Sequence, residues 1–205
     1  MIDIGDLLKI AKDAKSLFDG VKGKLLGQPD EAAQKLALVF EEINKIFLFI
    51  DAAMVNYLRL YIAPDRSNVV DCRSVLLGIE GGQLAIKGDE ARGHCHKIQN
   101  IYNKFLQRWF NKLLNNNEQA ELSYLFHKLG NMDDYMVRGL KTVCDWLQND
   151  AHEILNLIDD SRFDEANAKI KAARLQLLQQ RREISEAVRG LRALQADFIE
   201  ASGTV

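Results

Sequence analysis

Proline is nearly missing from this chain of 205 residues, which contains only Pro29 and Pro64. Because proline breaks helices and glycine weakens them, two prolines and 13 glycines leave room for long uninterrupted helices. Alternation of apolar and polar residues, which would indicate strands, is confined to the short stretch QLAIK at 83–87. The composition therefore predicts an all-α protein.

Cysteine is also scarce, and neither sign of charge dominates. Cys72, Cys95 and Cys144 are far apart and form no CxxC pair, so we expect reduced thiols packed as small apolar side chains in a cytoplasmic protein. The 27 basic and 29 acidic residues give a net charge of −2, which provides no overall attraction to nucleic acid. Residues 92–112 combine basic and aromatic side chains, but most of these aromatics follow an apolar helical stripe. We therefore expect no nucleic-acid partner.

Long apolar runs without charge are missing as well. The most apolar window, residues 43–63, contains Lys45, Asp51 and Arg59. Each charge near a bilayer centre would cost about 2.5–3.5 kcal/mol, so we expect no transmembrane helix. The first 15 residues carry acidic side chains at once and lack an apolar stretch, so they do not resemble a signal peptide.

The chain does contain one long apolar helical pattern, between its two prolines. Pro29 suits a first helical turn, and Pro64 pushes the residue before it out of the helical region, which predicts one helix of roughly 34 residues. Its apolar positions repeat in steps of four and three, as in a coiled-coil seam, and widen in the second half, which predicts burial by neighbouring helices. The seam is Leu36, Phe40, Ile43, Phe47, Ile50, Met54, Tyr57 and Tyr61, and the wider arc adds Ile46, Leu48, Ala53, Val55, Leu58, Leu60 and Ile62.

The rest of the chain continues the helical pattern. Residues 3–26 form an amphipathic helix that ends at Gly27, with fraying or a kink near Gly20 and Gly23. Residues 66–115 form either one kinked helix or two, with a break within 80–89. Further helices are predicted over residues 118–129, 132–159 and 163–198. An asparagine loop at 115–117 precedes the first of them, Gly130 ends it, and a turn at 159–163 leads into the last.

Short turns between helices of matched length predict an elongated up-and-down antiparallel bundle of about six or seven helices with coiled-coil-like packing. We expect a single domain over residues 1–205, with a frayed tail at 201–205. Whether residues 1–27 pack on the bundle or lie at its periphery stays open. The last two long helices should pair, because residues 117–160 carry nine acids and three bases (−6) and residues 161–205 carry eight bases and six acids (+2).

His94, Cys95 and His96 form the most suggestive group for metal binding. Cysteine and histidine suit zinc, but residues i and i+2 of a helix point about 200° apart, and no second such cluster is nearby. We therefore predict that Cys95 packs in the core, that both histidines face solvent, and that no metal or other cofactor is bound.

Motifs for catalysis or phosphate binding are missing, since EGGQ at 80–83 lacks the lysine and hydroxyl residue of a phosphate loop, so no enzyme is predicted. A Cys–His nucleophile built from distant positions stays open.

Asp51 is the candidate buried polar site. It lies inside the apolar arc of the long helix, where an unpaired carboxylate would be costly. Asp51 therefore either pairs with a base or hydrogen-bond donor on a facing helix, or forms a switch or polar site within the bundle.

The long seams offer more apolar positions than one partner helix covers. They predict a non-enzymatic interaction or scaffold protein that acts through protein–protein contacts, including self-association. The alternative is a membrane-active or effector bundle whose N-terminal amphipathic helix detaches onto a lipid surface. Its candidate lipid or partner face is Leu7, Leu8, Lys9, Lys12 and Lys15. A helical enzyme or ligand carrier with a site inside the bundle is the third hypothesis, and its small molecule is unknown.

Overall fold

Helices account for nearly all of the chain in the computed structural model, which describes residues 4–26, 30–64, 67–82 and 88–201. No strand occurs in these ranges, so the predicted all-α class is confirmed. The elements are α1 (Gly5–Leu25), α2 (Asp30–Leu60), α3 (Val69–Glu80), α4 (Gly88–Ile101), a π-helical turn (Tyr102–Leu106), α5 (Gln107–Leu113), α6 (Asn116–Gly130), α7 (Met132–Asp159) and α8 (Phe163–Ala201). The predictions made for Gly27, Pro29, QLAIK and most of the 201–205 tail lie outside the described residues.

The described helices traverse the bundle in five alternating passes. The passes are α1, then α2, then α3 with α4 and α5, then α6 with α7, and finally α8. The third and fourth passes are antiparallel along their length, as the pairs Arg73–Asp159, Glu80–His152 and Arg92–Asp133 show. The second and fifth are also antiparallel, as the pairs Asn44–Gln195 and Asp51–Arg181 show. The predicted up-and-down topology is therefore confirmed.

The first and last passes, α1 and α8, run parallel to each other. The side chain of Lys15 lies against Gly190, and Lys22 forms an ion pair with Asp197. Both pairs are 175 positions apart, so the two helices keep one register over this length.

One hydrophobic cluster joins all of the described helices. Four buried phenylalanines from α1, α2, α6 and α8 meet in it, namely Phe18, Phe40, Phe126 and Phe198. The Phe18 and Phe40 rings pack edge to face at 5.0 Å between centroids, and Phe40 stacks on Phe198 at 5.8 Å. Such pairs contribute roughly 0.5–1.5 kcal/mol each beyond the area they bury. This cluster ties the first helix to the last.

Helix boundaries differ from the prediction by more than one residue at several places, one of which is the end of α8, at Ala201 instead of residue 198. Asn115 and Glu118 form a capping box, in which each side chain accepts a hydrogen bond from the other's backbone N–H. The α6 helix therefore begins at Asn116, and of the three consecutive asparagines only Asn115 lies outside it. The helix between the prolines ends at Leu60, three residues before the predicted end, with residues 61–64 in non-helical conformation. The α1 helix continues through both of its interior glycines to Leu25.

The apolar arc of α2 is only partly covered by neighbours. Its seam positions are buried, but Leu48 and Ile62 are 51% and 47% exposed. The prediction that neighbours would bury the whole widened arc is therefore wrong at these positions. Within the described residues, no helix combines the length and apolarity that a membrane crossing requires.

Candidate functional site

An open groove lies between the C-terminal half of α2 and the N-terminal half of α8. Its volume is about 870 Å³, and its lining comes from residues 55–63 on one side and 167–181 on the other. Three large apolar side chains in it are substantially exposed: Ile62 at 47%, Leu175 at 59% and Leu178 at 44%. We call this feature the α2/α8 groove. It combines an apolar surface with direct access to solvent, as interaction sites do.

Four cationic side chains border the α2/α8 groove: Arg59, Lys171, Arg174 and Arg181. No carboxylate is among the described residues that line it. Arg59 and Lys171 are exposed and have no ion-pair partner within the described part of the chain. The groove therefore presents positive charge on its α2 edge and on its α8 edge.

Side chains of α8 hold the groove wall in place by hydrogen-bonding the backbone at and just after the end of α2. Arg174 Nη1 donates to the carbonyl oxygens of Leu58 at 2.7 Å and Tyr61 at 2.8 Å, and Asn167 Nδ2 donates to that of Pro64 at 3.3 Å. Carbonyl groups at and just after the end of a helix lack an N–H donor from the helix itself. The side chains of Arg174 and Asn167 therefore supply hydrogen bonds that these carbonyls would otherwise lack. The groove wall is thus held by three hydrogen bonds between α8 and the end of α2.

Tyr61 forms the buried part of the groove wall. Its hydroxyl donates to the Leu147 carbonyl oxygen at 3.2 Å, which ties the wall to α7. Burial, and then the negative charge of Asp150, raise the pKa of Tyr61 well above its ordinary value. The hydroxyl therefore stays protonated and acts as a structural donor.

Asp51 lies beside the groove, opposite Arg181 on α8. Arg181 Nε donates to Asp51 Oδ1 at 2.6 Å and Nη2 donates to Oδ2 at 3.1 Å, a bidentate pair. The two side chains are half-buried, and this hydrogen bonding raises the pKa of Arg181 above its ordinary value. Of the two readings drawn from the sequence, this geometry corresponds to a pair with a base on a facing helix.

The five residues of the candidate lipid or partner face divide between core and solvent. Leu7 and Leu8 are buried in the hydrophobic cluster, whereas Lys9, Lys12 and Lys15 are exposed. The structure therefore exposes the lysines to solvent, but not the leucines. In all, α1 buries eight residues against the bundle.

Comparisons with models of protein families, with curated proteins and with solved structures found no match. The properties of the groove therefore follow from the residues of this chain alone.

A second polar cluster, around Glu42, joins α2 to α4. Glu42 is buried, with its Oε2 2.5 Å from His94 Nδ1 and its Oε1 accepting from Lys45 at 2.9 Å, and Lys97 is 3.5 Å away. Burial raises the pKa of Glu42, but hydrogen bonds from His94 and Lys45 and the charges of both lysines lower it overall. The carboxylate is therefore held ionised as a structural link between two helices.

The prediction that both histidines of the His94–His96 triplet face solvent is wrong for His94. His94 turns toward α2, where it bonds Glu42 and lies 5.7 Å from the Phe49 ring, whereas His96 is exposed. Cys95 is buried between them, as predicted, and burial raises the pKa of its thiol to about 12. Across the described residues, no three metal-ligating side chains converge.

Sequence reasoning missed both the α2/α8 groove and the Glu42 cluster. Glu42 was detectable, because Val39, Ile46 and Phe49 flank it at i−3, i+4 and i+7, which places it inside an apolar stripe. The groove had a weaker signal: Leu175 and Leu178 lie outside the seam of α8, next to Lys171 and Arg174. Two apolar residues that lie outside the seam and next to cationic residues are unusual on a helix face that is exposed only to solvent.

Proposed function

We propose that this chain is a non-enzymatic helical interaction protein that binds another protein through the α2/α8 groove. The observation that carries the proposal is the exposure of Ile62, Leu175 and Leu178 side by side in a groove bordered by cations. Apolar surface left in water at such a site is stabilised when a partner covers it, at roughly 25 cal/mol per Å² of apolar area.

The pKa shifts and pairings of the titratable groups support structural roles for these side chains. Burial raises the pKa of Cys95 and Cys144, which disfavours the thiolate that a nucleophile needs. Asp51 is paired with Arg181 on the facing helix α8, and Glu42 is hydrogen-bonded by His94 and Lys45. These pairings favour a binding role over catalysis.

A photo-crosslinking experiment tests the proposal. A benzophenone amino acid replaces Leu175 in the groove and, as the matched control, Leu48, which is similarly exposed on α2 but does not line the groove. We expect a protein adduct in lysate of the native source at position 175 only. Unlabelled wild-type chain should compete for it, and the Leu175→Asp variant should not. Equal adducts at both positions, or none at position 175, would contradict the proposal.

The membrane-active alternative requires α1 to leave the bundle. Departure would expose its eight buried residues and the surface they cover, at roughly 1.5–3 kcal/mol for each large side chain. The alternative predicts leakage of anionic vesicles that is lost when residues 1–26 are removed. Intact vesicles at any protein concentration would exclude it.

A further inference from the structure

We propose that the α2/α8 groove binds an acidic amphipathic helix of about 10–14 residues in a partner protein. The inference rests on the proposed function, because it states which kind of partner segment the groove holds.

The dimensions of the groove suit a short helix. Residues 167–181 of α8 span about 21 Å at 1.5 Å per residue, which equals the length of a 14-residue helix. A helix that places apolar side chains at i, i+3, i+4 and i+7 presents a stripe about 10 Å long. That stripe can cover Ile62, Leu175 and Leu178 together.

The charges of the groove select an acidic occupant. Arg59 borders it on the α2 side and Lys171 on the α8 side, both exposed and without a carboxylate partner among the described residues. Acidic residues on both flanks of the apolar stripe would meet these cations. A basic helix would instead face the positive charges of Arg59, Lys171 and Arg174, since within the described part of the chain only Arg181 is paired with a carboxylate, Asp51. Charge complementarity therefore favours a partner helix of negative charge.

Other ligands fit the groove less well. An acyl chain would keep much of its length in water, because Leu175 and Leu178 are themselves about half exposed. Among the described residues of the lining, nucleic acid would find cations but no stacking platform, since Tyr61, their one aromatic side chain, is buried. The combination of an exposed apolar floor and two cationic edges favours the amphipathic helix.

A designed peptide tests the inference by fluorescence anisotropy on the full chain. The labelled probe has about 14 residues, with leucines at i, i+3, i+4 and i+7 and glutamates on both flanks. One control peptide has the same composition in scrambled order, which destroys the stripe. A second carries lysines in place of the glutamates. We expect saturable binding of the first peptide alone, accompanied by a gain in its helical circular dichroism.

Matched variants locate the binding site. Arg59→Glu combined with Lys171→Glu should weaken binding about tenfold, because two exposed pairs become repulsive. Arg189→Glu, on the exposed face of α8 outside the groove, should change it less than twofold. Leu175→Ser should weaken binding several-fold, and Leu48→Ser, at a similarly exposed position outside the groove, should not. All of these positions are on the surface, so thermal unfolding should show that each variant is folded.

Several outcomes would overturn the inference. These are no binding, equal binding of the scrambled peptide, or insensitivity to the groove variants. Groove-dependent binding of anionic vesicles in place of the peptide would overturn it in favour of a lipid surface. Groove-dependent dimerisation in light scattering would overturn it in favour of a second copy. If the peptide fails but the position-175 crosslink persists, the interaction function stands and only the acidic helix is excluded.

Discussion

Phe18 should be among the most sensitive positions in the chain. It is fully buried and its ring meets those of Phe40, Phe126 and Phe198 at 5.0, 6.2 and 6.4 Å between centroids. Replacing a buried phenylalanine by alanine typically costs about 3–5 kcal/mol, and three aromatic contacts place Phe18→Ala toward the upper end. For a chain of this size, that loss lowers Tm by about 6–20 °C.

Urea unfolding followed by far-UV circular dichroism measures the effect, with Lys12→Ala on the exposed face of the same helix as the control. Native-state hydrogen exchange then separates two results: a uniform loss of protection shows global destabilisation, and a loss confined to residues 5–25 shows release of α1 alone. A decrease below about 1 kcal/mol for Phe18→Ala would refute the packing of α1 described above.

Three further predictions concern charge and thiol chemistry. Because the pKa of Glu42 is lowered on folding, its contribution to stability is present above its unfolded pKa and is lost as pH falls through the folded value. The urea midpoints of wild type and Glu42→Gln should therefore differ at pH 7 and converge in acid, and a constant difference would contradict this. The half-buried Asp51–Arg181 pair should give a coupling energy of about 1 kcal/mol in a double-mutant cycle that decreases with added salt, and a value near zero would exclude a role in positioning α8. The three buried cysteines should react slowly with a thiol reagent in the native protein and at once in urea, and fast native labelling would show that a thiol is accessible.

The long elements were predictable because their signals are local. α7 spans Met132–Asp159, the predicted interval, since a glycine precedes it, a turn follows it and its apolar residues keep three-four spacing. The start of α6 was missed by two residues because the three asparagines read as a loop. The capping box depends on Glu118 as much as on Asn115, and it lets the helix begin at once after the first asparagine.

The α2/α8 groove was not predictable at the same level. Periodicity shows that α2 is apolar around much of its surface, but not which part a neighbour covers. That depends on where α8 lies, and α8 is set by distant contacts such as Arg174 on the carbonyls of Leu58 and Tyr61. Asp51 stood out from sequence because it interrupts an apolar arc, yet its partner lies 130 positions away and no local pattern identifies it.

The parallel arrangement of α1 and α8 fixes where the ends of these two helices lie along the bundle. With the register set by Lys15 at Gly190, Gly5 lies level with residue 180 of α8, which leaves 21 residues to Ala201, or about 32 Å at 1.5 Å per residue. Probes attached directly at the start of α1 and at the end of α8 would therefore be separated by this length along the bundle. Energy transfer between dyes at these two positions should report one narrow distance, set mainly by the length of α8 beyond residue 180.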